Sequence, residues 1–163
     1  KIPSAKATDI ELIDHVHRTG LPMVLSTGMT EYDEIRHSYA HLSRATGGSL
    51  FVCHSAYPAP DSELNLSQIG TFQKDFPGMP IGYSSHSVSP YPAIYAAVLG
   101  ARAVEAHVTL SRASKGSDHG ASLEEPGLAL LSRELRRIPE VLGNGEHQVW
   151  DSELPHRKRL RGY

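Results

Sequence analysis

Residues 81–110, IGYSSHSVSPYPAIYAAVLGARAVEAHVTL, contain two apolar, strand-like runs separated by a helical pattern. Each run ends in a histidine, His86 in the first and His107 in the second. If the runs are parallel neighbours in one sheet, both imidazoles emerge at the edge where the carboxyl ends of the strands meet. Two imidazoles at one edge suit a divalent metal with open coordination positions. Spacing alone favours a pair of hydrogen-bonded histidines, and the matching positions at successive strand ends make the two interpretations equal.

The same alternation of an apolar run and a helical pattern recurs along the chain and is typical of βα units in a parallel sheet. Two helices are predicted to begin with capping boxes, Thr30 with Asp33 and Ser122 with Glu125. Strands are predicted at residues 21–26, 50–55, 80–84 and 101–107, after a stub at residues 1–4; helices are predicted at about 8–19, 30–47, 66–76, 90–100 and 122–142.

This pattern predicts an α/β fold. Four strands and a stub make roughly half of a (β/α)8 barrel, whose usual size is about 250 residues. Half a barrel leaves strand edges and apolar side chains uncovered, so it requires missing sequence, a second copy or a partner for completion. An open three-layer α/β sheet is the other architecture that fits. The predicted half-barrel domain covers residues 1–145, and the basic end of the chain, residues 146–163, is interpreted as a linker or solvated tail.

The composition is that of a soluble globular chain, with 163 residues, 39% hydrophobic and 21% charged. The formal net charge of −2 gives no attraction toward nucleic acid or an anionic membrane, so neither is an expected partner. The single cysteine, Cys53, excludes an internal disulfide and fits a reducing compartment, which predicts a cytoplasmic protein. The chain begins at Lys1 rather than at methionine, which indicates a processed or incomplete sequence.

Polar side chains follow the predicted strands at the edge where a parallel α/β fold forms its site. Hydroxyls and a lysine beside helix N-termini suit a phosphate or carboxylate, because they donate hydrogen bonds and add positive charge. No Walker or Rossmann glycine pattern accompanies them. The strand-end residues are Lys1, Ser4, Ser26, Thr27, Gly28, His54, Ser55, Ala56, Tyr57, Ser84, Ser85, His86, Glu105 and His107.

The remaining histidines and the cysteine have structural interpretations. Cys53 lies within a predicted strand and is expected to be a buried, inert thiol. His54 and His119 are interpreted as groups behind the site or in solvent. The histidines on exposed helix faces are predicted to be His15, His17, His37 and His41.

Five ordered motifs identify a resemblance that covers nearly the whole chain. They are LSTGM at residues 25–29, CHSAYPAP at 53–60, IGYSSH at 81–86, EAHVT at 105–109 and KGSDHGASLE at 115–124. In order and spacing they resemble the sialic acid synthases, which condense phosphoenolpyruvate with N-acetylmannosamine, a related amino sugar or its 6-phosphate. The KGSDH motif resembles the animal-type synthases more than the bacterial ones.

The resemblance implies a TIM barrel, of which this chain holds the end of strand four through helix eight. It implies that His86 and His107 bind a divalent metal, Mn²⁺ or Mg²⁺, and that the full-length protein is a homodimer. His86, His107 and Asp118 are the implied catalytic residues. The residues implied to hold phosphoenolpyruvate are Lys1, Ser26 and Ser84, with Ser4 and Ser55 as further candidates, while Tyr57 and Asp118 match positions that contact the acceptor sugar.

Departures from the family pattern leave alternatives open. Ser85 replaces the common aspartate or glycine, and His54 stands where threonine is usual. The family's first three strands, with an essential glutamate, and its C-terminal domain have no counterpart in this sequence. The alternatives are a pseudaminic or legionaminic acid synthase, a non-catalytic phosphate-binding half-barrel, and a fragment without independent stability.

Overall fold

The computed structural model describes residues 1–44 and 47–162 and has an α/β fold built on a parallel sheet. In this part of the chain the sheet has four strands, and their spatial order is their order in the sequence. The prediction of an α/β fold with a parallel sheet is therefore confirmed. The strands are β1 (Val24–Ser26), β2 (Ser49–Cys53), β3 (Ile81–Ser85) and β4 (Val104–Ala106).

The register of the sheet brings the predicted polar residues to one edge. Cys53 pairs with Ser84, and Ser84 pairs with Glu105, so the carboxyl ends of β2, β3 and β4 lie side by side. The predicted stub at the start of the chain is present as a parallel bridge between Ile2 and Leu25. A strand order without reversal favours a segment of a (β/α) barrel, because a doubly wound sheet reverses its order at a switch point.

The predicted helices are present, with shorter bounds at most ends. Two of them contain a proline near the first turn, where its missing N–H costs no intrahelical bond. The second predicted helix extends into residues 45 and 46, which lie outside the described part of the chain. The helices are α1 (Ile10–His17), α2 (Tyr32–Leu42), α3 (Gln68–Asp75), α4 (Tyr91–Val98), α5 (Glu125–Leu142) and α6 (Leu154–Arg161).

The predicted capping box at the start of α2 is wrong by one residue. The N-terminal cap is Glu31, whose backbone N–H donates to the carboxylate of Glu34 at 2.8 Å. The Thr30 hydroxyl instead donates to the carbonyl of Gly28 at 3.0 Å. The threonine is therefore part of the turn that leaves β1, which sequence spacing alone did not separate from a cap.

The predicted start of α5 is also wrong, because the helix begins at Glu125 and not at Ser122. The Ser122 hydroxyl donates to the carbonyl of Asp118 at 2.7 Å, so it stabilises the preceding turn. The end was predicted correctly, since α5 continues through Pro139 to Leu142.

The core lies between the sheet and the helices that cover it. Side chains from the strands alternate inward and outward, and those on the helix-facing side are almost completely buried. A core of this density fixes the strand ends relative to one another, which is what a site spread over several strands requires. The core includes Ile13, Leu25, Leu42, Leu50, Val52, Ile69, Phe72, Ile81 and Tyr83.

The end of the chain is exposed. Residues 143–150 have no regular structure, and α6 has no buried residue. The predicted tail thus contains a short basic helix, with Tyr163 outside the described residues. Among residues 1–44 and 47–162, no helix is both long enough and apolar enough to cross a membrane.

Candidate functional site

A cavity of about 310 Å³ opens at the carboxyl ends of the strands. Its lining contains every predicted site residue except Asp118, which contacts the lining through His107. The sequence had placed these residues at separate strand ends, and the fold brings them together. The predicted residues that line the cavity are Lys1, Ser4, Ser26, Ser55, Tyr57, Ser84, His86 and His107.

His86 is buried, with 4% of its surface exposed, and its ring orientation is fixed by its neighbours. Its Nδ1 lies 2.6 Å from the carbonyl oxygen of His54. Because a carbonyl only accepts, Nδ1 carries the proton and Nε2 keeps its lone pair in the neutral ring. Burial lowers the pKa of His86, but hydrogen bonds with Cys53 and with the His54 carbonyl outweigh it and raise the pKa above its ordinary value.

His107 lies beside His86, with ring centroids 5.3 Å apart and ring planes at 74°. Its Nδ1 is 3.4 Å from the Asp118 carboxylate, an arrangement that orients an imidazole and leaves Nε2 for another partner. Metal–nitrogen bonds of about 2.0–2.2 Å allow two rings at this separation to contact one ion. The donor set therefore fits a divalent cation, although among the described residues no group of three or more histidine, cysteine, aspartate or glutamate side chains converges on one point.

Tyr57 covers both imidazoles. Its ring centroid is 3.9 Å from that of His86, with the planes at 31°, and 5.8 Å from that of His107. Burial and the nearby negative charges, including that of Asp118, raise the pKa of the Tyr57 hydroxyl. The hydroxyl therefore stays protonated at neutral pH and is available as a hydrogen-bond donor at the mouth of the cavity.

An ion pair connects the two outer strand positions of the cavity. The Lys1 ammonium is 2.6 Å from each Glu105 carboxylate oxygen, and the Ser84 hydroxyl donates to the same carboxylate at 2.8 Å. Burial raises the pKa of Glu105, but the hydrogen bonds from Lys1 and Ser84 and the lysine charge outweigh it, so the pKa lies below its ordinary value. The carboxylate is thus ionised and holds the ammonium and the hydroxyl at the cavity wall.

Two hydroxyls in the cavity have no hydrogen-bond partner. The Oγ atoms of Ser26 and Ser55 are both buried and unpaired, and Ser26 is only 2% exposed. An unpaired buried hydroxyl costs free energy unless a ligand or water completes it. The backbone N–H of Gly28 donates to the Ser4 hydroxyl at 3.0 Å, which fixes a third hydroxyl nearby. These groups offer donors to an anion beside a positive side chain.

The expectation that Cys53 is buried is wrong, whereas its inertness stays a prediction. The thiol is half-buried, lines the cavity, and lies 3.9 Å from the His86 Nδ1. Burial raises its pKa, but hydrogen bonds with His86, Ser4 and Ser84 outweigh it and lower the pKa below its ordinary value. The side chain lies at the carboxyl end of β2, where strand residues turn from the core toward the site.

The other histidines lie behind the site or on the helices. The ring of His54 contacts Glu63 at 3.1 Å, and His119 contacts the Thr109 hydroxyl at 2.7 Å. The prediction of fully exposed helical histidines holds for His15 and His37. His41 and His17 are half-buried, because α1 and α2 pack against each other; His41 pairs with Asp14 at 2.8 Å.

Glu105 is the charged lining residue that the sequence analysis placed at a strand end without giving it a role. The signal was available, because Glu105 precedes His107 by two residues and alternate strand residues share a face. A carboxylate on the same face as a candidate metal ligand enters the same cavity. Its pairing with Lys1, 104 residues away, was not visible before the strands were placed.

Comparison with known proteins shows which family the chain belongs to. Residues 1–147 match the NeuB family. The chain belongs to the NeuB family. It is 35% identical over 161 residues to the N-acetylneuraminate-9-phosphate synthase of Homo sapiens and 33% identical over 167 residues to the N,N'-diacetyllegionaminic acid synthase of Legionella pneumophila. The resemblance inferred from the five motifs is thereby confirmed.

The NeuB match extends to three-dimensional structure. The N-acetylneuraminic acid (sialic acid) synthetase of Leptospira borgpetersenii has a TM-score of 0.84 and 32% identity, over 99% of this chain and 58% of that chain. The human and Legionella alignments cover 98% and 99% of this chain but 45% and 47% of those proteins. The chain therefore spans about half the length of these NeuB relatives.

Proposed function

We propose that this chain is the part of a phosphoenolpyruvate-dependent sialic acid synthase that spans strands four to eight of its barrel, with residues 1–145 as the half-barrel. The reaction is the condensation of phosphoenolpyruvate with an N-acetylmannosamine-type amino sugar, or its 6-phosphate, to a nine-carbon sialic acid. The observation that carries the proposal is one cavity in which unpaired hydroxyls and an ammonium lie opposite two adjacent imidazoles. Membership of the NeuB family supports it.

The donor half of the site consists of Lys1 and the serine hydroxyls. An ammonium has three N–H donors, and two directions are taken by the Glu105 oxygens, so one remains for a phosphate or carboxylate. The Ser26 and Ser55 hydroxyls have no other partner and gain hydrogen bonds when an anion binds. With Ser4 and Ser84 beside them, these groups hold phosphoenolpyruvate by charge-assisted hydrogen bonds and orient it.

The acceptor half consists of His86, His107, Tyr57 and Asp118. The two imidazoles would hold Mn²⁺ or Mg²⁺, and such an ion would supply Lewis-acid polarisation of the acceptor aldehyde. Asp118 keeps the His107 ring oriented and is within reach of a sugar hydroxyl. The Tyr57 hydroxyl, protonated at neutral pH, donates to the sugar at the mouth of the cavity.

The proposed bond changes are those of an aldol-like condensation. C3 of phosphoenolpyruvate attacks the aldehyde carbon, a C–C bond forms, and the aldehyde oxygen takes a proton to become a hydroxyl. Water then adds at C2 of the donor, and the C2–O bond to phosphate breaks, which releases inorganic phosphate and leaves the keto acid. Lys1 and the serines bind the donor throughout, so their contribution is orientation and electrostatic stabilisation of the departing phosphate.

The complete site needs more than this chain. The relatives are about twice as long, and we place the remaining barrel strands and a homodimer partner in the full-length protein. We place that protein in the cytoplasm, since a single cysteine without an internal disulfide fits a reducing environment.

The test measures donor binding and turnover separately. Phosphoenolpyruvate is titrated into the chain and observed by ³¹P NMR, and binding is expected to broaden the phosphoenolpyruvate signal. The double variant Ser26→Val, Lys1→Met is expected to abolish this broadening. Phosphate release is then measured with the full-length protein, N-acetylmannosamine and its 6-phosphate, and the product mass identifies the acid. Undisturbed phosphoenolpyruvate signals with the full-length protein as well would refute the donor site.

A second candidate is a legionaminic or pseudaminic acid synthase, which the 33% identity to the Legionella protein favours. The same bonds form in that reaction, so the product mass separates the two. Binding of phosphoenolpyruvate by the full-length protein, without phosphate release for any amino sugar, would instead identify a non-catalytic binding module.

A further inference from the structure

A second cavity lies between the segment that leads into α3 and the first turns of α4. Its volume is about 370 Å³, within the range of small-molecule pockets. It shares no lining residue with the cavity at the strand ends. The two cavities are therefore distinct, and nothing in the proposed condensation uses the second.

One wall of this cavity consists of Tyr91 and Tyr95. They are one helical turn apart on α4, with ring centroids 6.2 Å apart and planes inclined by only 26°. Both line the cavity and are exposed, at 50% and 56%, so aromatic ring surface is accessible to a ligand there. The face of an aromatic ring is negatively polarised and attracts the positive ends of C–H bonds. This wall suits a ligand with a flat, C–H-bearing face.

The rest of the lining is partly polar and partly apolar. Asp61 contributes a carboxylate and Asn65 a carboxamide, and both residues are exposed at the edge of the cavity. Asn65 has a backbone φ of +43°, a left-handed conformation that asparagine tolerates better than most residues. Leu64 and Pro92 are buried in the lining. The cavity thus combines hydrogen-bonding groups with an aromatic wall.

We propose that this cavity binds a neutral pyranose sugar. A pyranose ring has a face of C–H bonds and an edge of hydroxyls, which match the Tyr91–Tyr95 wall and the Asp61–Asn65 side. A purely apolar ligand makes no use of the carboxylate and the carboxamide, whereas sugar hydroxyls can hydrogen-bond to both. A phosphorylated sugar brings a second negative charge toward Asp61, which disfavours it. The inference does not depend on the proposed condensation.

The test is a ¹H–¹⁵N NMR titration of the chain with N-acetylmannosamine and N-acetylglucosamine. The amide signals of Asn65, Tyr91 and Tyr95 are expected to shift with either sugar. Mannitol, which has hydroxyls but no ring face, is the control ligand and is expected to leave them unchanged. Equal shifts with mannitol, or sugar-induced shifts confined to residues around Tyr57 and Asp118, would overturn the proposal.

Substitutions in α4 test whether the sugar binds at this cavity. Tyr95→Ala removes an exposed ring without opening the core and is expected to weaken sugar binding about fivefold to tenfold. Val98→Ala is the matched control, since Val98 is exposed on the same helix outside the cavity lining. Unchanged affinity in Tyr95→Ala, or equal affinity for N-acetylmannosamine 6-phosphate, would count against the site. Failure of phosphoenolpyruvate to bind elsewhere leaves this titration unaffected.

Discussion

The Nδ1 atom of His86 donates its proton to the carbonyl oxygen of His54 across 2.6 Å. This single bond determines which nitrogen of the buried ring faces the cavity with a lone pair. The acceptor is a backbone atom of the neighbouring strand end, so the sheet itself sets the tautomer. A ligand nitrogen held in this way matches the outer-shell support that metal-binding histidines usually have.

Removal of the imidazoles is expected to remove metal binding. His86→Ala leaves one of two ligands, so we expect at least a tenfold loss of Mn²⁺ affinity by calorimetry on the chain. The double variant His86→Ala, His107→Ala is expected to give no binding heat. His15→Ala, which removes an exposed histidine of α1, is the control. Full Mn²⁺ affinity in the double variant would exclude these residues as the site.

The contact between His54 and Glu63 is expected to hold the loop that carries Tyr57. The pair closes residues 54–63 at 3.1 Å, and it is partly exposed, so its loss should lower the free energy of unfolding by less than about 1 kcal/mol. In Glu63→Ala we expect a mixture of His86 tautomers, measured by ¹⁵N NMR of the ring. Glu63→Gln keeps an acceptor and should retain the single tautomer.

A methyl group at Gly28 is expected to disturb the donor half of the cavity. A Cβ there would lie 2.1 Å from the Ser55 Oγ and 2.9 Å from the Ser4 Oγ, so both hydroxyls would have to move. Gly28→Ala should therefore abolish the effect on the ³¹P signal of phosphoenolpyruvate and change the melting temperature little. Gly70→Ala, where the added Cβ meets no atom within 4 Å, is the control. Unchanged binding in Gly28→Ala would contradict this placement of the serines.

The sequence was sufficient for the parallel sheet and for the set of residues at its edge. Apolar runs that end in polar residues predict both, because the carboxyl ends of parallel strands converge. That rule predicted that Ser26 and Ser84 lie in one cavity, without any information about contacts. Helix starts were less predictable, since Thr30 and Ser122 carry hydroxyls that serve a turn as readily as a cap.

Pairings between distant residues could not be predicted. The Lys1–Glu105 ion pair depends on how far apart β4 and the start of the chain lie, and spacing along the chain does not contain that distance. The partial exposure of Cys53 at the cavity was not predicted, for a related reason. Its position within an apolar run indicated burial, whereas its place at the last position of β2 turns it toward His86.

The Asp14–His41 pair is expected to make stability depend on acid pH. The hydrogen bond from His41 holds the pKa of Asp14 below its ordinary value of about 3.9. A depressed carboxyl pKa contributes stability above the unfolded pKa, and this contribution is lost as the pH falls through the folded pKa. Asp14→Asn should lower the melting temperature at pH 6 and have little effect near pH 2. An equal effect at both pH values would contradict the assignment.

Glu105 is expected to limit anion affinity while it positions Lys1 and Ser84. Glu105→Gln keeps acceptor and donor atoms but removes one negative charge within a few ångströms of the bound anion, so inorganic phosphate should bind several-fold more tightly. Glu105→Ala removes the contact to both partners and should weaken phosphate binding, because the ammonium and the hydroxyl lose their fixed positions. The two variants therefore move the ³¹P-derived dissociation constant in opposite directions. Tighter binding in both variants would mean that the carboxylate acts through its charge alone, and weaker binding in both would contradict the expected effect of the charge.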